Sequence, residues 1–410
     1  MNHPVAAIDQ RNADVRIGFG MARAEFAQRS TTIAQAEQFA AIHTILAEAR
    51  AFPEVFLPSG ADRTGRDAED FATRAAVADL AIRLGLAEET VRTQAYQAGI
   101  LLTRTPRVWT AFRDGDVSTP NARTVAELAA TLPDSSPELF AAFDDAVLRG
   151  ASTLTPARFR EQARILRERM YPEQLMERHR RRVEERRVAL EPDIDGMCWL
   201  SVYMSAEVGQ RTMVNLDHAA MSLSAHPDET RTLAQIRADV AGDLLTGGSP
   251  VSGGPRVSVA VTVPVMTLLG HSDEPGSLDG YGPIDAETAR ALAAQAPSFM
   301  RILTHPITGA VLDLDRKRYR VPKDLRTWVG IKGGGCTFPG CGRRPRNCDV
   351  DHITDWAQGG TTSAMNLHHL CPPHHRLKHM TGWKVERGPD GTIRWTSPTG
   401  QVSDADPPPF

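Results

Sequence analysis

The alternation of apolar and polar positions divides the chain into a long helical stretch, a short region of mixed period and a compact terminal part. Between 17 and 50, Phe19, Phe26, Ile33, Phe39, Ile42, Ile45 and Leu46 recur mostly at helical spacing among alanines, predicting one long amphipathic helix or a pair. Pro53 and the Pro58-Ser59-Gly60 turn end it. Residues 1–16 lack a period and read as a loose arm. Helical spacing resumes at 67, where Ala81, Gly85 and Val91 have the small, glycine, β-branched spacing of a helix-turn-helix. The second helix of that pair, 88–99, offers only Arg92 as a cation and opens on Glu88 and Glu89, so a packing hairpin is favoured over a DNA reader. Ser/Thr-Pro starts at Thr119-Pro120 and Thr155-Pro156 predict further helices, the second running to about 187. Its arginines (Arg178, Arg180, Arg181, Arg182, Arg186, Arg187) are interleaved with glutamates, which favours a solvated face laced with ion pairs.

Beyond 187 the period changes. Residues 187–190 and 197–205 predict a hairpin around Asp193-Ile194-Asp195-Gly196, followed by helices at 206–223 and 228–245. A Gly/Ser/Pro joint spans 247–255. Val257, Val259, Val261, Val263 and Val265 then alternate with small or polar residues, the clearest strand pattern in the chain.

A length of 410 residues implies two or three domains. With 41% apolar and 24% charged residues, the composition is that of an ordinary soluble protein. No apolar run is long enough to cross a bilayer, and the start lacks the basic-then-apolar order of a secretory signal, so a cytoplasmic protein with no membrane partner is expected. The net charge of −3 conceals an asymmetry, because the segment from Arg301 to Arg387 holds fifteen Lys or Arg against seven Asp or Glu. That segment is +8 and the remainder −11, so a field suited to a phosphate backbone is concentrated near the end.

The chemistry lies in the same place. Four of the five cysteines and six of the thirteen histidines fall between Cys336 and His379. Cys336 and Cys341 flank a turn containing Pro339-Gly340, and Cys371 and His374 flank two prolines, so two knuckles of soft ligands can meet at one structural zinc. Cys348 is a rival fourth ligand, whereas Cys198, alone in an apolar run, reads as core. Left over are Asp351, His352, Asn366, His375 and His379. His375 and His379 stand four apart on the helix expected at 373–380, and a strand-end Asp351 beside them would complete a site with positions open to water and phosphate. His352 then serves as a general base and Asn366 pins the loop that carries it. Singly, each of these residues is more often a surface or capping residue, and only their joint spacing points to catalysis. His368 and His369 alternate on a strand and read as non-ligands, and Trp356, Trp383 and Trp395 read as core anchors.

These residues resemble the HNH, or ββα-metal, nucleases: Asp351-His352, Asn366 and His375 stand at the family's naming positions, with Gly359-Gly360-Thr361 where its loop lies. The resemblance implies His352 as general base, Asp351 and His375 as ligands of a Mg²⁺ or Mn²⁺ ion, and Asn366 as the orienting residue. His379 corresponds to a ligand used by some members, and Lys378, with Arg376, Arg343 and Arg344, would contact nucleic acid. The stretch Thr304 to Tyr319, Cys336 to Cys341 and Gly382-Trp383 are further similar to actinobacterial proteins that carry a helical domain of unknown function before an HNH domain. Those relatives often have an Arg-Asp pair where Lys332-Gly333 stands here. The resulting expectation is a mainly α region with a small α+β segment over 17–300, a connector over 301–325, a zinc-stabilised ββα-metal domain over 326–397 and a tail over 398–410. The leading function is a metal-dependent DNA endonuclease. The alternatives are a non-catalytic DNA-binding or scaffold protein with a structural zinc module and, less favoured, an enzyme acting on RNA.

Overall fold

The computed structural model describes residues 4–60, 64–172, 175–226, 228–246, 261–278, 281–294, 321 and 323–407. Two compact units emerge, one made of Met1–Glu173 with Leu303–Pro408, the other of Gln174–Ile302 with the last two residues.

The first unit opens on α1 (Pro4–Ala51). It starts well before the expected 17 because no proline follows Pro4 until Pro53 and alanine favours the helix throughout. Its second half buries Ala36, Phe39, Ile42, Leu46 and Ala49 along one stripe, while Val15, Phe19 and Phe26 of its first half are exposed. Against that stripe pack α2 (Gly65–Leu84) and α3 (Glu88–Arg104). Between them Gly85 takes a left-handed φ of 63°, its N–H bonding the Ile82 carbonyl while Leu86 N–H reaches that of Ala81, a C-cap only glycine forms without strain. Ala81 and Val91 are buried at this crossing, as their spacing predicted. α3 also buries Ala95, Ala98 and Leu101, so one face of it belongs to the core of the bundle. The bundle is completed by α4 (Pro106–Arg113), α5 (Thr119–Ala129), α6 (Pro137–Thr153) and α7 (Pro156–Met170), each with proline in its first turn, around Phe39, Phe112, Phe143 and Phe159. The charged helix expected to reach 187 is broken at Pro172.

The second unit contains α8 (Leu175–Glu184), then β1 (Arg187–Pro192) and β2 (Cys198–Tyr203), antiparallel with Arg187 opposite Tyr203. Positive φ at Asp195 (54°) and Gly196 (78°) makes the turn between them one that follows the strand twist. Cys198, expected in the core, is exposed, since both faces of this hairpin are largely open among the described residues. There follow α9 (Ala206–Ser224), α10 (Leu233–Thr246), β3 (Val261–Thr262), α11 (Val265–Leu268), β4 (Gly276–Leu278), β5 (Gly282–Ile284) and α12 (Ala286–Ala294). The first half of the expected strand 256–265 lies outside the described residues. Of the remainder, β3 pairs with β4, and Val265 opens a helical turn after Pro264.

The chain returns to the first unit with α13 (Lys323–Gly333), β6 (Asp349–His352), β7 (Leu367–Leu370) and α14 (Pro372–Met380). A meander of β8 (Lys384–Arg387), β9 (Ile393–Thr396) and β10 (Val402–Asp404) closes it, so the stretch expected as a tail contributes a strand. Phe338, Leu370, Leu377, Trp383 and Trp395 share one continuous core with Ala72, Ala75 and Ala76 of α2. Backbone and side chain reinforce that seam: Gly382 N–H donates to the Phe56 carbonyl at 2.8 Å and Arg74 to the Pro373 carbonyl at 3.1 Å. Trp383 and Trp395 are buried as expected; Trp356 is 37% exposed and lies 6.2 Å from the His352 ring. No described helix is long and apolar enough to cross a membrane.

Candidate active site and metal centres

The Cys336–Cys341 turn closes through Cys341 N–H to the Phe338 carbonyl, with Gly340 at φ 73°. Cys371 caps α14, and the two prolines after it start the helix so that His374 falls one turn on, above the cysteine. Ligand atoms of Cys336, Cys341, Cys371 and His374 all lie within 4.8 Å of one another. His374 Nδ1 is 3.4 Å from Cys336 Sγ and 3.3 Å from Cys371 Sγ. Tetrahedral bonds of ~2.3 Å to sulfur and ~2.0 Å to nitrogen give an S···N edge of about 3.5 Å, so the donor set fits zinc in both type and spacing. Crowding acts on the thiols: hydrogen bonding with Cys341 and Cys371 pushes Cys336 up, while hydrogen bonding with Cys336 and Cys341 pulls Cys371 down. Cys348 stands apart. Its thiol donates to the Arg344 carbonyl at 3.2 Å, burial pushes its pKa up to about 12, and it falls outside the cluster that His374 joins.

Phe338 stacks on the His374 ring at 4.1 Å, and Glu88 Oε1 of α3 lies 2.7 Å from His374 Nε2. Burial opposes the charge of Glu88, yet its bonds to His374 and Arg92 hold the carboxyl below its ordinary range. A carboxylate on the far nitrogen of a ligating imidazole fixes its ring and raises its basicity.

A second cluster is more open. Asp351, on β6, faces the helix that follows β7, and His375 Nε2 and His379 Nε2 each lie 3.5 Å from its Oδ1. The three ligand atoms again fall within 4.8 Å, with Asp351 buried, His375 half-buried and His379 exposed. The other oxygen, Oδ2, accepts from Lys378 Nζ at 2.7 Å and meets His368 Nε2 at 3.4 Å. Burial alone would favour the neutral acid, but these two partners hold the Asp351 carboxyl well below the usual range. One oxygen is thus clamped and the other is presented to two imidazoles, which fits a divalent cation with open coordination positions.

His352 is also buried, its Nε2 paired with Thr362 Oγ1 at 3.0 Å. Burial lowers its pKa, keeping the imidazole neutral and able to accept a proton near pH 7. Asn366 holds the intervening loop at three points: Oδ1 accepts Thr354 N–H, and Nδ2 donates to the Thr354 and Thr361 carbonyls, all at 2.8–2.9 Å. The loop closes so tightly that a Cβ on Gly360 would lie 1.8 Å from the Thr354 carbonyl oxygen, so only glycine fits there.

The cations expected at nucleic acid are differently placed. Lys378 turns inward, its side chain 9% exposed, with its ammonium on Asp351, the His352 carbonyl and Asp355. Arg376 and Arg343 are exposed, while Arg344 is half-buried and its carbonyl helps hold Cys348. His368 and His369 belong to neither cluster. His368 instead links Thr337 Oγ1 of the cysteine turn, 2.8 Å from Nδ1, to Asp351. Sequence reasoning missed three supporting groups: Glu88, Thr362 and the outer-partner role of His368. Only Thr362, inside the glycine loop, offered a local signal.

Residues 335–381 match the HNH endonuclease domain, the class that a metal-bearing ββα hairpin-and-helix defines. Residues 26–332 match the family described as a domain of unknown function, DUF222, and the chain belongs to that family, with the HNH domain following. It is 33% identical over 210 residues to the uncharacterized Mycobacterium tuberculosis protein Rv3776, a match spanning 43% of this chain and 40% of that one. Another uncharacterized protein of that organism, Rv2100, is 40% identical over 20% of this chain and 15% of its own length. A third, Rv1128c, is 25% identical over 50% of this chain and 49% of its own. The chain therefore spans at most about half the length of these relatives. No solved structure matches it. The HNH match supports a nuclease-type function, a nucleic-acid substrate and metal binding.

Proposed function

We propose that the protein is a DNA endonuclease that hydrolyses phosphodiester bonds with a divalent cation, Mg²⁺ or Mn²⁺, held by Asp351, His375 and His379. Bound there, the cation would stabilise charge on the phosphorane and on the leaving oxygen. His352 takes the proton from the attacking water, and its neutral state suits that task. Asn366 keeps the loop after His352 closed. Lys378 acts on the reaction indirectly, by joining the Asp351 carboxylate to the His352 carbonyl so that ligand and base keep one geometry. The Cys336, Cys341, Cys371 and His374 set holds structural zinc.

The observation that carries this reading is the placement of an open Asp/His/His cluster beside a neutral, buried histidine within one short hairpin and helix. A plasmid-nicking assay with Mg²⁺ or Mn²⁺ tests it. His352→Ala should lower nicking by ~10²–10⁴-fold, with zinc content unchanged; undiminished nicking by that variant rejects the mechanism.

A further inference from the structure

From the arrangement of cations around α14, we propose that the helical region supplies part of the DNA track: Arg74 of α2 and Arg376 of α14 together take a backbone phosphate next to the cut site. The inference uses the nuclease reading only to say which bond lies at the metal cluster.

Successive residues of a helix turn by ~100°. Going round α14 from the face of His375 and His379, Arg376 lies about 60° beyond His379 and Pro373, whose carbonyl Arg74 holds, about 60° beyond Arg376. Arg376 therefore stands between the face of the clustered histidines and Pro373, where Arg74 of α2 bonds at the border of the buried Leu377 and His374.

Three guanidinium groups, of Arg74, Arg92 and Arg376, gather at this seam, and the carboxylates of Glu88 and Asp70 offset them in part. Arg74 is half-buried, and burial together with the neighbouring Arg376 and Arg92 guanidinium groups makes its proton easier to lose than usual. The nearby carboxylate of Glu88 is already shared between His374 and Arg92. Arg74 donates to a neutral carbonyl and stacks on Phe71 at 5.9 Å. Beside it a hollow of about 330 Å³ opens, lined by Arg50, Phe71 and Thr73 as well as Asp67 and Asp70. Like charges held together at a half-buried seam repel, and an anion arriving there relieves that repulsion. A DNA phosphate is the anion that the adjoining cluster implies, and guanidinium groups bind it through paired N–H donors.

The test is binding of a short fluorescent duplex by the full chain carrying His352→Ala, followed by anisotropy as salt is varied. Each lost phosphate contact reduces the slope of log K against log salt by about 1. Arg74→Gln and Arg376→Gln should each lower that slope by about 1 and weaken binding several-fold. Arg158→Gln, on the exposed face of α7, should change neither. Arg74→Lys keeps the charge and should keep the slope; a loss equal to that of Arg74→Gln would make Arg74 a structural residue and overturn the proposal. It is overturned equally if Arg74→Gln leaves the slope of the parent chain intact, or if the parent chain fails to bind duplex. Duplex binding with these slopes by a wild-type chain that does not nick DNA would sink the nuclease reading and leave the track standing.

Discussion

His374 and His375 are neighbours on one helix, yet they serve clusters of opposite character. Around His374 the candidate ligand atoms are three sulfurs and a nitrogen, mostly buried, with Phe338 stacked on the ring and Glu88 on its far nitrogen. Around His375 the candidate ligand groups are one clamped carboxylate and two imidazoles, one half-buried and one exposed. The helical turn of ~100° per residue separates them: one histidine points into the core and the next points out. The difference teaches what closure does. A site whose every position is filled by protein can contribute folding energy but has no place for a substrate, whereas a site left part-open can do chemistry but holds little together.

The largest effect should come from breaking the closed side. His374→Ala removes a ligand from a site whose zinc contributes on the order of 10 kcal/mol to folding. Zinc should be released, and the near-ultraviolet signal of Trp383 and Trp395 should collapse. A native-like spectrum without zinc would show that the aromatic core suffices by itself. Next in size, His375→Ala should abolish metal-dependent nicking and weaken Mn²⁺ binding in calorimetry, with zinc retained and stability changed by only about 0.5 kcal/mol, as for other surface positions. A matching loss of fold would erase the distinction between the neighbours. The smallest change is expected from Glu88→Gln, which leaves the zinc ligands in place but weakens a charged hydrogen bond worth roughly 1–3 kcal/mol. A modest fall in melting temperature and faster zinc loss to a chelator are expected; unaltered zinc release would show that His374 is held by Phe338 stacking alone.

The two clusters of candidate ligands were legible in the sequence because both are local. Cys336 with Cys341, Cys371 with His374, and His375 with His379 are short-range pairs whose geometry follows from a turn or from one helical turn. What could not be read there depends on distance or on side-chain reach. Glu88 lies 286 residues from His374, and no spacing rule connects them. Lys378 was expected to face phosphate, but its long side chain reaches back to Asp351 and the His352 carbonyl. Cys198 shows the limit of a hydrophobic run as evidence, since its hairpin is open to solvent among the described residues. The start of α1 at Pro4 reflects alanine-rich sequence whose helical propensity needs no apolar stripe to declare it.

The seam between α2 and the cysteine-bearing region has a consequence for inheritance. Ala72, Ala75 and Ala76 pack in the same core as Phe338, Trp383 and Trp395, and Phe56 and Arg74 bond across it. A cassette of 335–381 moved to another gene would carry the clustered cysteines and histidines with Phe338 but leave behind Trp383, Trp395 and the α2 surface that packs with them. Alanine's small size there is a fitted contact, and a larger side chain at Ala75 in one lineage would select for a compensating change across the seam. The two regions should therefore travel through evolution as a single heritable piece.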